Sequence, residues 1–149
     1  MKDSIMIQQC TIFIDVDGVL NKTGQITSTD HIDYNLARIF SLIVKTTGAD
    51  IVVSSTWRSS PVMYAKLKEV FAEHDILTNW VGEIADGNKA DKIREYIYTN
   101  KITNFVIIDD CEDAVPEEMK EHLFQTTPTE GITVEIANRI IKYLEDKSR

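Results

Sequence analysis

The chain has little of what marks the specialised protein classes. It has two cysteines in 149 residues, too few for a disulfide framework or a metal knuckle. Cys10 and Cys111 therefore read as buried or partly buried free thiols. Three prolines and six glycines exclude collagen-like and low-complexity architectures. No apolar run approaches the roughly 20 residues a membrane-spanning helix needs. The first residues lack the long apolar stretch and cleavage site of a secretory leader, so a cytoplasmic location with no membrane partner is the expectation. Positive charge is also scarce. Sixteen basic residues face 24 acidic ones, a formal net charge of −8, which disfavours broad non-specific nucleic-acid binding through a basic surface.

What remains is an ordinary globular composition, 43% hydrophobic and 27% charged. Apolar runs at 10–15, 50–54 and 104–109 read as buried strands. Helical spacing over 33–45 ends at Gly48, and Ser60-Pro61 reads as a cap with proline in the first turn. Further helices are expected through Leu67, Val70 and Phe71, over 89–98, and over 133–144. A short strand is expected within 76–81 and an edge strand within 122–127. The polar segment 21–30 reads as a loop. Alternation of this kind implies one α/β domain over 1–149, a doubly wound parallel sheet with helices on both faces.

The chemistry concentrates where strands end. Cys-Thr-Ile-Phe-Ile-Asp-Val-Asp-Gly-Val-Leu at 10–20 places Asp15 and Asp17 just past a buried strand. Two carboxylates there repel each other and lose hydration, a cost that makes sense beside a cation or a reacting group. In open α/β sheets, ligands bind at that end of the strands. Ser-Ser-Thr-Trp-Arg at 54–58 follows the second strand, Lys89 opens a helix, and Asp109-Asp110 ends the strand beginning at 104. A parallel sheet would bring these four clusters to one edge.

In this order, the motifs resemble those of the haloacid dehalogenase (HAD) superfamily, most of whose members are Mg²⁺-dependent phosphohydrolases. Asp15-Val-Asp17-Gly18 matches the first motif, Ser54 the second, Lys89 the third and Asp109-Asp110 the fourth. A closer likeness is to the small HAD-like domain associated with Swiss Army knife RNA repair proteins. The strings Asp-Val-Asp-Gly-Val-Leu-Asn at 15–21 and Val-Ser-Ser-Thr-Trp-Arg at 53–58 carry it. Gln-Thr-Thr-Pro at 125–128 and Gly-Ile-Thr at 131–133 fit more loosely.

The resemblance implies a division of labour. Asp15 would be the nucleophile and Asp17 the general acid/base. Mg²⁺ would be held by Asp15, the backbone carbonyl of Asp17, Asp109 and Asp110, with Asp113 an alternative outer acid. Ser54 or Ser55, with Lys89 or Lys92, would bind phosphate. Arg58 would bind a distal phosphate or pair with a local carboxylate. Trp57 reads as a core or rim residue more than a stacking platform. His31, His74 and His122 share no ligand spacing and read as structural or surface groups.

Neither gap between the early motifs has room for a sizeable cap domain. An open site suits a nucleotide or a polynucleotide end carrying a terminal phosphate. Two other readings share the fold. A phosphorelay receiver domain has similar residues, but in a different order. A non-catalytic phosphoryl-binding module would be expected to lack Asp15 or Asp17.

Overall fold

A computed structural model describes residues 9–23 and 31–147. Five strands form a single parallel sheet: β1 (Thr11–Ile14), β2 (Asp50–Val53), β3 (Trp80–Glu83), β4 (Phe105–Asp109) and β5 (Leu123–Gln125). Their order across the sheet is β3-β2-β1-β4-β5. The chain steps outward from β1 to β2 to β3, then returns past β1 to form β4. The direction of winding therefore reverses between β1 and β4, the crevice where open α/β sheets bind ligands. In register, Ile14 lies beside both Val53 and Ile108, so Asp15, Ser54 and Asp109 leave three adjacent strands at one level.

Four α-helices cover the sheet: α1 (Tyr34–Thr47), α2 (Pro61–Glu73), α3 (Lys89–Thr99) and α4 (Val134–Lys147). Alternation along the strands divides the core in two. Ile12, Ile14, Ile51, Val53, Val106 and Ile108 pack with residues of α1, α2 and α4. Phe13, Val52 and Ile107 face the opposite way and pack with Ile93 and Ile97 of α3, and with Val115 and Met119. The reversal of winding explains this split. Right-handed crossovers put α1 and α2 on one face, and the backward crossover through α3 on the other.

Helix boundaries follow local chemistry. Asp33 caps α1 by accepting from the N–H groups of Asn35 and Leu36, and Gly48 ends it at φ +71°. Ser60 caps α2 ahead of Pro61, and Asn88 caps α3 by accepting from Asp91 N–H. That last cap puts Lys89 at the first position of α3.

Two expectations need adjustment. The strand sought within 76–81 lies later, at Trp80–Glu83, after a 3₁₀ turn over Leu77–Asn79. Ile76 is buried in the core on the α1–α2 side instead of pairing, and the β2–β3 register slips between Ile51 and Val52. Cys111 is exposed, whereas Cys10 is buried as expected; the turn after β4 carries Cys111 away from the core. Of the expected loop 21–30, residues 24–30 lie outside the described residues. The connection from β2 to β3 holds one α-helix and two 3₁₀ turns, with no cap-sized insertion. Among the described residues, no helix is long and apolar enough to cross a membrane.

Candidate active site

The carboxyl ends of β1 and β4 bring three acids together. Carboxylate oxygens of Asp15, Asp109 and Asp110 lie within 4.8 Å of one another. Asp109 is fully buried and Asp15 is 7% exposed. Lys89 pairs with two of them. Lys89 Nζ lies 2.9 Å from Asp109 Oδ2 and 3.5 Å from Asp15 Oδ1. The other oxygen of Asp109 accepts from Cys111 N–H at 2.9 Å, and Asp15 Oδ1 accepts from Val16 N–H at 2.9 Å.

The electrostatic balance is unfavourable to the acids. Burial, then the charge of Asp109, pushes the Asp15 carboxyl up to about 7 despite the opposing pull of Lys89. Burial and Asp109 also raise Asp110. For Lys89, burial opposes the charged amine, but Asp15 and Asp109 outweigh it and hold the group above the ordinary lysine value. Three carboxylates around one ammonium leave a local excess of negative charge. All the donors are hard oxygens, the ligand chemistry that suits a small divalent cation.

The turn after β1 is fixed by hydrogen bonds. Val19 and Leu20 N–H donate to Val16 C=O, and Asn21 Oδ1 accepts from Gly18 N–H. Gly18 adopts φ +82°, and a Cβ there would lie 2.3 Å from Asp110 Oδ2. Glycine thus serves both the backbone conformation and the close approach of the acid. Thr126, just beyond β5, ties the two acid-bearing loops together: its hydroxyl donates to Gly18 C=O at 2.7 Å and its N–H to Asp109 C=O.

Asp17 stands apart from the acid trio. Its Oδ1 accepts from Asn21 Nδ2 at 2.8 Å and from Trp57 Nε1 at 3.1 Å. Its carboxylate is therefore not in the cation-holding cluster; the role expected of Asp17 towards a cation uses its backbone carbonyl.

The two serines differ in their commitments. Ser55 Oγ accepts from Trp57 N–H and caps the 3₁₀ turn over Thr56–Ser59. Ser54 Oγ is buried and has no hydrogen-bond partner among the described residues. An orphaned buried hydroxyl is costly unless something completes it, and its backbone N–H already donates to Ile14 C=O beside Asp15.

Other candidates lie outside the cluster. Lys92 pairs with Glu95 on the outer face of α3. Asp113 sits in the 3₁₀ turn over Glu112–Ala114 and is not among the clustered acids. Arg58 is absorbed locally. Its guanidinium donates to the carbonyls of Ser55, Ile84 and Ala85, and lies 3.6 Å from Asp86. With 9% of its side chain exposed, little of it remains for a distal phosphate. His122 stacks on Phe105, and His74 is buried in the protein.

A family description, the HAD domain in Swiss Army Knife RNA repair proteins, matches residues 11–137. The chain belongs to this family. The match embraces all five strands of the HAD domain and every residue of the acid cluster. No curated protein matches the chain.

Sequence reasoning missed two parts of the site in this HAD domain. Asn21 and Thr126 lie in strings that carry the resemblance, but their bonding roles have no sequence signal, because hydrogen bonds across a turn, or across 108 residues, leave no periodic trace. Trp57 was read as a core or rim residue, and it is 1% exposed. Its indole N–H bond to Asp17 was not foreseen.

Proposed function

We propose that the protein is a Mg²⁺-dependent phosphomonoester hydrolase that works through an aspartyl-phosphate at Asp15. The observation that carries this reading is the convergence of Asp15, Asp109 and Asp110 at the reversal of the sheet, with Lys89 paired to Asp15 and Asp109. Asp15, Asp109 and Asp110, with the Asp17 carbonyl, would hold the cation, which when bound offsets the negative charge shared by the acids and a phosphate. The excess of carboxylate charge and the raised Asp15 and Asp110 support that assignment.

The residues divide the work as follows. An Asp15 oxygen attacks phosphorus as the ester P–O bond breaks, and Asp17 delivers its proton to the departing oxygen. Water then attacks the phosphorus of the aspartyl-phosphate and gives its proton to Asp17, releasing phosphate and restoring Asp15. Lys89 holds Asp15 and Asp109 in place and offsets charge gathered at the phosphoryl group. Ser54 supplies its free hydroxyl to a phosphate oxygen.

The substrate reading is a nucleotide or a polynucleotide terminal phosphate. Support comes from the family description, which is of RNA repair proteins, and from the β2–β3 connection, which holds no cap-sized insertion over the site. A terminus reader needs few phosphate contacts, so the net charge of −8 is compatible with it.

The test is phosphate release from mononucleotides, 3′- and 5′-phosphorylated oligonucleotides and an aryl phosphate, with Mg²⁺, with EDTA, and with Asp15→Asn. Release that requires both Mg²⁺ and Asp15 is expected. No release from any substrate by folded protein overturns the reading and leaves a phosphoryl-binding module in its place.

A further inference from the structure

We infer that Trp57 and Asn21 are positioning residues that together lock the Asp17 carboxylate into one orientation for proton transfer. The inference rests on the phosphohydrolase reading above and adds to it two residues which that mechanism does not use.

The geometry is a three-way lock. Asn21 Oδ1 accepts from Gly18 N–H at 3.0 Å, and Asn21 Nδ2 donates to His31 C=O at 3.0 Å. Those two contacts fix which end of the amide is nitrogen. The same Nδ2 donates to Asp17 Oδ1 at 2.8 Å. Trp57 approaches from another element, the turn after β2, and its Nε1 donates to the same oxygen at 3.1 Å. Asn21 is fully buried and Trp57 nearly so, so neither donor is free to swing away.

The consequence is an asymmetry between the two oxygens of Asp17. Two N–H donors occupy Oδ1. Among the described residues, Oδ2 has no hydrogen-bond partner. An oxygen that already receives two N–H groups has no room to carry a proton towards a leaving group. Oδ2 is therefore the oxygen that gives its proton to the ester oxygen as the P–O bond breaks. It takes a proton back from the attacking water as the Asp15–phosphorus bond breaks. A carboxylate free to rotate would present either oxygen and spend part of its time misdirected. Holding it is an orientational contribution of the kind that positioned catalytic groups supply.

Indole is well suited to the task. It has one N–H donor and no acceptor, so it cannot turn round and donate elsewhere while accepting from a protonated Asp17. Its ring also belongs to the buried core on the α1–α2 side of the sheet. This rigid anchoring distinguishes it from a flexible lysine or arginine at the same place.

The test separates orientation from general damage by varying the leaving group. An ester with a poor leaving group, such as an alkyl phosphate, needs a proton from Asp17. 2,4-Dinitrophenyl phosphate has a stable leaving anion and does not. Wild type, Trp57→Phe and Asn21→Ala are compared on both esters, with Mg²⁺ present. Each variant is expected to lose on the order of ten- to a hundredfold in kcat/KM on the alkyl ester, part of the range general acids supply. On the dinitrophenyl ester kcat/KM, which reports leaving-group departure and not the later hydrolysis of the aspartyl-phosphate that both esters share, should stay within a few-fold. Equal losses on both esters, or no loss on either, overturn the inference. Wild type that releases phosphate from neither ester overturns the phosphohydrolase reading itself, which is a separate outcome.

A second measurement leaves the core intact. The two indole N–H resonances of Trp57 and Trp80 are recorded in wild type and in Asp17→Ala. The Trp57 signal is expected to move upfield as its acceptor disappears. Trp80, which donates to Gly82 C=O, should not move. An unmoved Trp57 signal overturns the proposed lock even if Trp57→Phe fails to fold.

Discussion

Replacing Lys89 with methionine tests the electrostatics of the site most sharply. The ammonium lies 2.9 Å from Asp109 and 3.5 Å from Asp15, and its side chain is 24% exposed. With an effective dielectric constant near 20, a pair at the longer distance attracts by about 5 kcal/mol. Desolvation of the amine and residual solvent access offset much of that, leaving about 3 kcal/mol as the cost of stranding the acids, the low end for a broken buried pair. Methionine keeps the apolar stem, so packing changes little.

The sign with pH follows from Asp15. Its folded value of about 7 already stands above the 3.8 of an ordinary aspartate. Ionised Asp15 therefore weakens the metal-free fold; the penalty shrinks progressively as pH falls below the folded value and is gone only below the ordinary value of 3.8, where the carboxyl is protonated in folded and unfolded chain alike. Removing Lys89 raises Asp15 further and enlarges that penalty. Urea unfolding in EDTA should show a deficit of about 3 kcal/mol for Lys89→Met near pH 8, shrinking by about half or more near pH 5. Saturating Mg²⁺ at the higher pH should also recover part of the deficit. A deficit that is absent, or that stays constant across this range, would refute the electrostatic account of Lys89.

Other outcomes follow from the same geometry. Mg²⁺ binding should release protons and tighten as pH rises through about 7, because Asp15 must ionise to ligate; calorimetry in buffers of different ionisation enthalpy reads this directly. Gly18→Ala should cost about 1–3 kcal/mol from its positive φ and weaken Mg²⁺ binding, because the new Cβ displaces Asp110; thermal unfolding and a Mg²⁺ titration measure the two effects. Ser54→Ala should leave stability unchanged or raised while increasing KM, since its hydroxyl has no partner to lose. Ser55→Ala should instead lose about 1 kcal/mol with the cap it provides.

Much of this was legible in the sequence because strands and motifs obey short-range rules. The buried runs ending at Asp15, Ser54 and Asp109 announced the strands and their chemical ends, and Gly48 and Ser60 mark helix boundaries through local hydrogen bonds. The choices left open were those that depend on direction. Lys89 and Lys92 are three residues apart on one helix. Only the packing of α3 on the sheet decides that Lys89 reaches Asp109 while Lys92 meets Glu95. Ser54 and Ser55 are adjacent, and the turn that follows engages one hydroxyl as a cap. The edge strand β3 was misplaced because Ile76 and Leu77 look like strand residues. Ile76 is buried in the core, and Leu77 packs against it from the 3₁₀ turn. For Arg58 the sequence leaves a distal phosphate and a local carboxylate open; the structure puts Asp86 3.6 Å away and adds three backbone carbonyls that hold the guanidinium, and backbone acceptors have no signature in side-chain sequence.

The central claim is that Asp15 becomes phosphorylated. Its most direct measurement is acid-quench trapping of protein-bound phosphate from an activated aryl phosphate with Mg²⁺, using Asp17→Asn to slow hydrolysis of the intermediate. Hydroxylamine-labile label is expected on the peptide containing Asp15, and none when Asp15→Asn is added. Turnover of the ester without label on Asp15, or label on another residue, would contradict it.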